Sequence, residues 1–448
     1  MRRRHTPIRL SDHFDYKRLF LFVLPSIGMM IFTSIYGVVD GLFVSHFAGK
    51  SAFTAINLIM PFPMLLGAFG FMIGTGGSAV VAITLGEQKK ELANRYFSFF
   101  IAVTIIGGVI LSALGILFLE PVAVFFGAEG ETLTHCLSYG RILFLFLTAF
   151  MLQNTFQSFL VTAEKPMLGL IVTVAAGVVN MVLDLLFVGI FQWGVMGAAI
   201  ATGISQTVGG LIPLLYFLRK NNSLLRLARP RFFGRVLVNA CVNGSSELMT
   251  NVSLSLVNML FNYQLMNAIG EDGVAAYGVI MYVSFIFIAV FIGYSFGSAP
   301  IVGYHYGAEN RIELRNVFRK SLTFVSICGV LMVLGGVLAS GLLSNLFVGY
   351  DPALAAITKR GFILYSLAYA FIGVNIYASS FFTALGNGLI SAVISFLRTL
   401  LFQVATLLIL PLLFDVDGIW CSVVAAELMA LAFSLFFFIT QRKKYGYA

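Results

Sequence analysis

Charge is what this chain has least of. Of its 448 residues only 10% are Asp, Glu, Lys or Arg, against about a quarter in soluble domains. So little charge cannot cover the surface of a water-soluble enzyme, and a disordered chain is excluded with it. Cysteine is equally scarce. Cys136, Cys241, Cys328 and Cys421 stand singly, without a CxxC pair or metal-ligand spacing. That excludes a disulfide scaffold and a zinc module. There is no Walker A pattern, no DDxxD-type acid cluster and no HExxH. Gly74-Thr75-Gly76-Gly77 lies in an apolar run and reads as a close-packing site, not a phosphate cradle.

Apolar residues fill the space that charge leaves. They make up 59% of the chain, with 45 Phe and 44 Gly and a mean hydropathy of +0.95. Runs such as Leu19 to Val44 and Ile101 to Leu119 are apolar on nearly every side. They approach or exceed the roughly 20 residues needed to cross about 30 Å of hydrocarbon as helix. Barrel strands would instead alternate apolar and polar. The chain is therefore an all-α polytopic membrane protein. Twelve apolar segments follow, at 18–45, 54–85, 96–119, 137–163, 167–191, 195–218, 236–266, 274–305, 317–347, 354–384, 389–413 and 418–440. The first follows a basic arm, yet its length, Pro25, Asp40 and the lack of a cleavage site mark a retained helix rather than a signal peptide.

Basic residues fix the expected orientation. With strict alternation, 23 of the 28 Lys and Arg fall on the side of the termini, in the N-terminal arm, around Lys89 and Arg95, at Lys165, between Arg219 and Arg235, between Arg311 and Lys320, and after Gln441. Positive charge stays cytoplasmic, so both termini are expected there, in a multi-pass protein of the plasma or inner membrane. The net charge of +9 is a topology signal and not a nucleic-acid footprint.

The sequence repeats at an offset near 220. Gly77-Ser78-Ala79 pairs with Gly297-Ser298-Ala299, Glu91-Leu92-x-Asn94 with Glu313-Leu314-x-Asn316, and Thr162-Ala163 with Thr383-Ala384. Each half holds six spans, an even number, so the repeats are parallel about an axis along the membrane normal. Residues 1–218 form an N-lobe, 219–235 a polar, basic cytoplasmic linker with Pro230, and 236–448 a C-lobe. Duplicated bundles of this kind belong to alternating-access transporters, and no cofactor or enzymatic role is expected. Without a nucleotide site, the energy must come from an ion gradient.

Four carboxylates lie well inside the segments: Asp40, Asp184, Glu247 and Glu427. At a helix centre such a charge costs about 2.5–3.5 kcal/mol on insertion scales, so each is a functional candidate. Asp40 shares a helix face with Thr33 and Tyr36. Asn180 and Asp184 are one turn apart, and Thr202 with Gln206 forms a comparable pair on the next segment. Oxygen ligands of this kind suit a proton or a hard cation. A static polar knot between helices is the competing reading. Pro25 is expected to bend the first segment. Asn243, Glu247, Asn251, Ser255, Asn258 and Asn262 form a polar stripe on the seventh segment, expected to face a central cavity. Tyr277 and Met281 suit flat lipophilic cations. His305 reads as an interface residue, and Arg398 as a candidate partner of Glu427.

These residues carry a resemblance. The chain resembles the MATE (multidrug and toxic compound extrusion) family over nearly its whole length. The matching stretches are Pro25 with Val38-Val39-Asp40-Gly41, Asn180-x-x-x-Asp184, Gly194-Val195-x-Gly197-Ala198-Ala199-x-Ala201-Thr202, Gly303-Tyr304-x-Tyr306-Gly307 and Gly418-Ile419-Trp420. The resemblance implies twelve helices in two six-helix lobes forming a V, and export of amphipathic, often cationic compounds against proton or sodium influx. It implies a proton or sodium site at Asp40, Asn180, Asp184 and Thr202. Glu247 matches an acidic position of the C-lobe, but Asn375 stands where some members carry an Asp. The expected substrate cavity comprises Tyr36, Glu247, Asn251, Tyr277, Met281 and Asn375. Expected partners are small drug-like molecules, the coupling cation and membrane lipids, with the chain acting as a monomer and no nucleic acid bound. A lipid-linked glycan flippase of the related superfamily is the alternative, and would want a more cationic cavity.

Overall fold

The structure is a computed structural model that describes residues 8–47, 55–56 and 58–447; the side chains of residues 38 and 40–47 lie outside the described residues. Among the described residues the regular structure is entirely helical. The first half comprises α1 (Tyr16–Phe47), α2 (Pro61–Gly86), α3 (Lys90–Phe125), α4 (Gly130–Leu145), α5 (Leu147–Thr162), α6 (Pro166–Ile190) and α7 (Gly194–Leu218). The second comprises α8 (Gly234–Ile269), α9 (Glu271–Gly307), α10 (Arg311–Val348), α11 (Pro352–Ser366), α12 (Tyr369–Ala384), α13 (Gly388–Ile409) and α14 (Pro411–Tyr445).

The pairs α4–α5 and α11–α12 each make one span, bent by 52° and 48°. Counted so, the first half has six spans and the second five that are apolar enough to cross a membrane; α8, long enough to make the sixth, is the least apolar because of its Asn and Ser stripe. The repeat is therefore visible in shape as well as sequence. The fourth span of each half is bent, and the fifth carries a π-turn, Leu185–Ile190 in α6 and Leu397–Leu401 in α13. Pro25 lies inside α1, which packs on α6 and α9. The chain breaks at Phe146 and at Leu367–Ala368. Residues 55–56 and 58–59, ahead of α2, are helical as well, and Asp415 interrupts the start of α14 with φ 49°.

Both ends of the described chain lie on one face, the basic one, where Phe14 and Tyr447 each pack near the start of α10. Near this face the halves meet through α1 and α2 against α8 and α9. Glycines permit the contact. A Cβ on Gly76 would overlap the Ala240 carbonyl, and one on Gly244 the Met72 carbonyl. Gly74-Thr75-Gly76-Gly77 is thus a packing surface, as its setting in an apolar run suggests.

Two crossing segments reinforce this face. Ahead of α1, the Leu10 N–H donates to Glu164 Oε1 (2.7 Å) of the first half, and the Phe14 N–H to Glu313 Oε1 (2.8 Å) of the second. Asn316 and Lys320 donate to the Phe14 carbonyl at 2.9 and 2.7 Å. Ahead of α8, the Arg226 N–H donates to Asn94 Oδ1 (2.9 Å) and the Ala228 N–H to Ser98 Oγ (2.7 Å). Leu10, Phe14 and Leu225 are fully buried. Leu19, Phe22, Val23 and Ile27 of α1 join the core of the second half.

Candidate ion and substrate sites

In the first half, α6 packs on α7 and on α1, where Gly177 lets Phe32 and Tyr36 approach. Asn180 and Asp184, one turn apart, are buried from solvent. Asp184 is the last residue before the π-turn, so the helix register shifts directly after it. Thr202 of α7 is half-buried. Asn180 Oδ1 and Thr202 Oγ1 are inaccessible and take part in no hydrogen bond among the described residues. Leaving a buried polar atom so costs about 1–3 kcal/mol, which a ligand for these oxygens would offset. Asp40 belongs to α1, but its side chain lies outside the described residues. Thr33 returns its hydroxyl to the Met29 carbonyl (2.9 Å), and Tyr36 lies against Phe32, ring centres 6.2 Å apart.

Where the halves meet, Thr75, Ser78 and Ser158 of the first face Glu247, Ser380 and Thr383 of the second across one pocket. Its polar lining comes from both halves, as a shared site requires. The Glu247 carboxylate accepts no hydrogen bond among the described residues, while Asn251 folds back on the Glu247 carbonyl (2.8 Å). Tyr277 and Met281 lie elsewhere. Tyr277 stacks on Phe261 at 4.8 Å and donates to Asn258 Oδ1 (2.7 Å). Met281 Sδ faces the Tyr365 hydroxyl at 3.8 Å.

Asn375 does not line that pocket. It is fully buried and donates to the Glu427 carbonyl (2.9 Å) and Oε2 (2.8 Å), while Ser434 donates to its Oδ1 (2.9 Å). Glu427 in turn receives Arg398 Nε at 2.8 and 3.0 Å. The two charges singled out by their depth in the sequence are therefore one buried ion pair. Arg398 sits on the π-turn of α13, so both π-turns hold or adjoin an intramembrane charge.

His305 is an interface residue, edge-on to Phe14 at 6.3 Å. Gly293-Tyr294-Ser295-Phe296-Gly297 spells Gly-x-Ser-x-Gly, but Ser295 is buried in the middle of α9. A nucleophile needs the sharp strand-to-helix turn that this helix does not provide. Four residues that hold the crossing segments, Glu164, Asn94, Glu313 and Asn316, escape a search for intramembrane charge. The signal for Asn94, Glu313 and Asn316 is the Glu-Leu-x-Asn repeat, and Glu164 directly follows the repeated Thr162-Ala163.

Two six-span halves, buried polar groups within each and a pocket lined by both define a membrane transporter rather than an enzyme. The MatE family profile matches residues 25–186 and again 248–409. The chain belongs to the MatE family. Among curated relatives, the multidrug export protein MepA of Staphylococcus saprophyticus is 24% identical over 432 residues, covering 95% of this chain and 94% of that one. MepA of Staphylococcus aureus strain MRSA252 is 22% identical over 434 residues, covering 95% and 94%. Among solved structures, the outward-facing conformation of a multidrug resistance MATE family transporter superposes with a TM-score of 0.92 at 20% identity, covering 99% of both chains. A transporter of the MOP superfamily from Pyrococcus furiosus, described as having a binding pocket of reverse polarity, superposes with a TM-score of 0.90 at 20% identity, covering 98% and 99%. The fold is thus the all-α, twelve-helix V of two six-helix lobes.

Proposed function

We propose that the chain is an ion-coupled antiporter that exports amphipathic, cationic small molecules by alternating access. One observation carries the reading: the pocket lined by both lobes holds the Glu247 carboxylate. A site shared between two bodies is remade whenever they rock, and a carboxylate there favours a cation. That polarity also argues against the flippase, whose pyrophosphate cargo would want a cationic cavity.

The coupling ion, a proton or sodium, is assigned to Asp40, Asn180, Asp184 and Thr202, whose donors are all oxygen. Lobes 1–218 and 236–448 act as the two moving bodies, joined by 219–235. The basic face is the cytoplasmic one, by the charge bias of the loops. With the lobes in contact near that face, the form described is closed to the cytoplasm. Cation binding in the first lobe and drug binding in the shared pocket favour different lobe arrangements, so ion entry drives drug exit. The working unit is a single chain among membrane lipids.

Asp40→Asn should abolish export while the protein remains folded in the membrane. Efflux at the wild-type rate in vesicles carrying that variant sinks the mechanism. Uptake of a fluorescent cation into inverted vesicles, energised by a pH gradient or a sodium gradient in turn, identifies the ion.

A further inference from the structure

On the basic face, the turn between α5 and α6 lies beside the end of α7. The Leu224 N–H reaches the Ala163 carbonyl at 3.5 Å. Asn221 fixes the chain leaving α7 by donating to the Tyr216 and Arg219 carbonyls at 3.1 and 3.0 Å. Between them runs a groove of about 630 Å³ that collects Lys165, Arg219 and Lys220. Three other basic side chains of this face have partners: Lys89 meets Glu87 at 2.8 Å, Arg18 meets Asp12 at 3.8 Å, and Lys320 the Phe14 carbonyl. The side chains of Lys165, Arg219 and Lys220 make no hydrogen bond or ion pair among the described residues, and no carboxylate lines their groove. Glu164, next to Lys165, is taken by the Leu10 N–H. Lys165 also stands at the cap of α6, where a positive charge opposes the helix dipole and an anion is favoured.

The other wall of the groove is apolar. Ile212 and Leu215 line it, and with Leu211 and Leu218 they form an exposed stripe at helical spacing on α7. On a helix that spans a membrane, such a stripe faces acyl chains. Tyr216 lines the groove between the two walls, at the level where an amphipathic ring suits the membrane boundary.

We propose that this groove is a binding site for an anionic phospholipid of the leaflet that borders the basic face. The phosphate lies among Lys165, Arg219 and Lys220, and the acyl chains run along the stripe from Leu218 to Leu211. Basic pockets at the ends of membrane helices recognise lipid head groups by charge in this way. A soluble phosphate would use the polar wall alone, so the apolar stripe is what favours a lipid. The inference goes beyond the export reading and does not depend on it.

The test is native mass spectrometry of the purified full chain in detergent, titrated with dioleoylphosphatidylglycerol or dioleoylphosphatidylcholine. The first phosphatidylglycerol should bind at least about tenfold more tightly than the first phosphatidylcholine. Lys165→Gln with Arg219→Gln and Lys220→Gln should abolish that preference. Arg229→Gln with Arg231→Gln and Arg235→Gln removes the same charge from exposed positions outside the groove, and should keep it. A preference retained in the groove variant overturns the proposal. So does an equal loss in both variants, which would make the attraction a property of the whole face.

Should the groove variant fail to fold, Arg219→Gln and Lys220→Gln decide singly, since both positions are exposed. Each should weaken phosphatidylglycerol by at least about threefold and leave phosphatidylcholine unchanged; no change in either overturns the site. Glycerol 3-phosphate tests the soluble source. Failure to displace the bound phosphatidylglycerol at equal concentration supports the lipid, and full displacement overturns it.

Discussion

Asn94 and Asn316 hold equivalent places in the two halves, and each binds the segment that leads into the first helix of the opposite half. Asn316 donates to the carbonyl of Phe14, two residues before α1, and Asn94 accepts from the N–H of Arg226, in the stretch before α8. The Glu-Leu-x-Asn repeat is thus the trace of a reciprocal clasp on the basic face.

Glu313 anchors one side of the clasp, and its removal should release the arm. Hydrogen bonds to a charged group contribute about 1.5–3 kcal/mol. In Glu313→Ala, amide exchange at Phe14 should therefore speed up by roughly ten- to a hundredfold, read by hydrogen–deuterium exchange. Unchanged protection would show that burial of Leu10 and Phe14 alone retains the arm.

Glu164, in the turn between α5 and α6, gives the clasp a pH dependence. Burial pushes its carboxyl above the ordinary value, against lowering by the Leu10 N–H and the Arg9 charge, a rise from Asp12 and a further lowering by Lys165. A raised value means that the docked state holds the proton more tightly than the released state does. Its contribution is therefore greatest below the ordinary carboxyl range and is lost as pH rises through the raised value. Protection of the Leu10 amide should be stronger at pH 4 than at pH 7, and Glu164→Gln should flatten that difference.

The contact of Gly76 with Ala240 leaves no room for a side chain. Gly76→Leu should hold the lobes apart near the basic face, whereas Gly107→Ala, at a position with open space around it, should not. Cysteines placed at Val80 and Asn239, which border one crevice between the halves, offer the readout. Their disulfide yield should fall in the Gly76 variant and persist in the control.

The Arg398–Glu427 pair should behave as buried pairs do. Glu427→Ala leaves an unpaired guanidinium and should cost about 3–5 kcal/mol, whereas Arg398→Met with Glu427→Leu should cost far less. Thermal unfolding in detergent distinguishes the two. Equal losses would mean that packing around the pair, not its charge, supports the fold.

Much of this protein is determined by its sequence alone. Scarce charge and long apolar runs leave helices as the spanning solution, because hydrocarbon offers backbone groups no other partner. The internal repeat dictates two like halves. Depth in the membrane singles out Asp184, Glu247, Arg398 and Glu427, since each is costly there. Only the tertiary structure decides what those charges face. Asn375 stands in a polar position by sequence, yet the fold spends its amide on Glu427 and takes it away from the pocket. Tyr277 reads as pocket lining, but stacking on Phe261 buries it. The bends at Phe146 and Leu367 have no proline to announce them, and the π-turns leave no mark in the apolar pattern. Such features depend on which helix packs against which, and a periodicity of one helix cannot carry that.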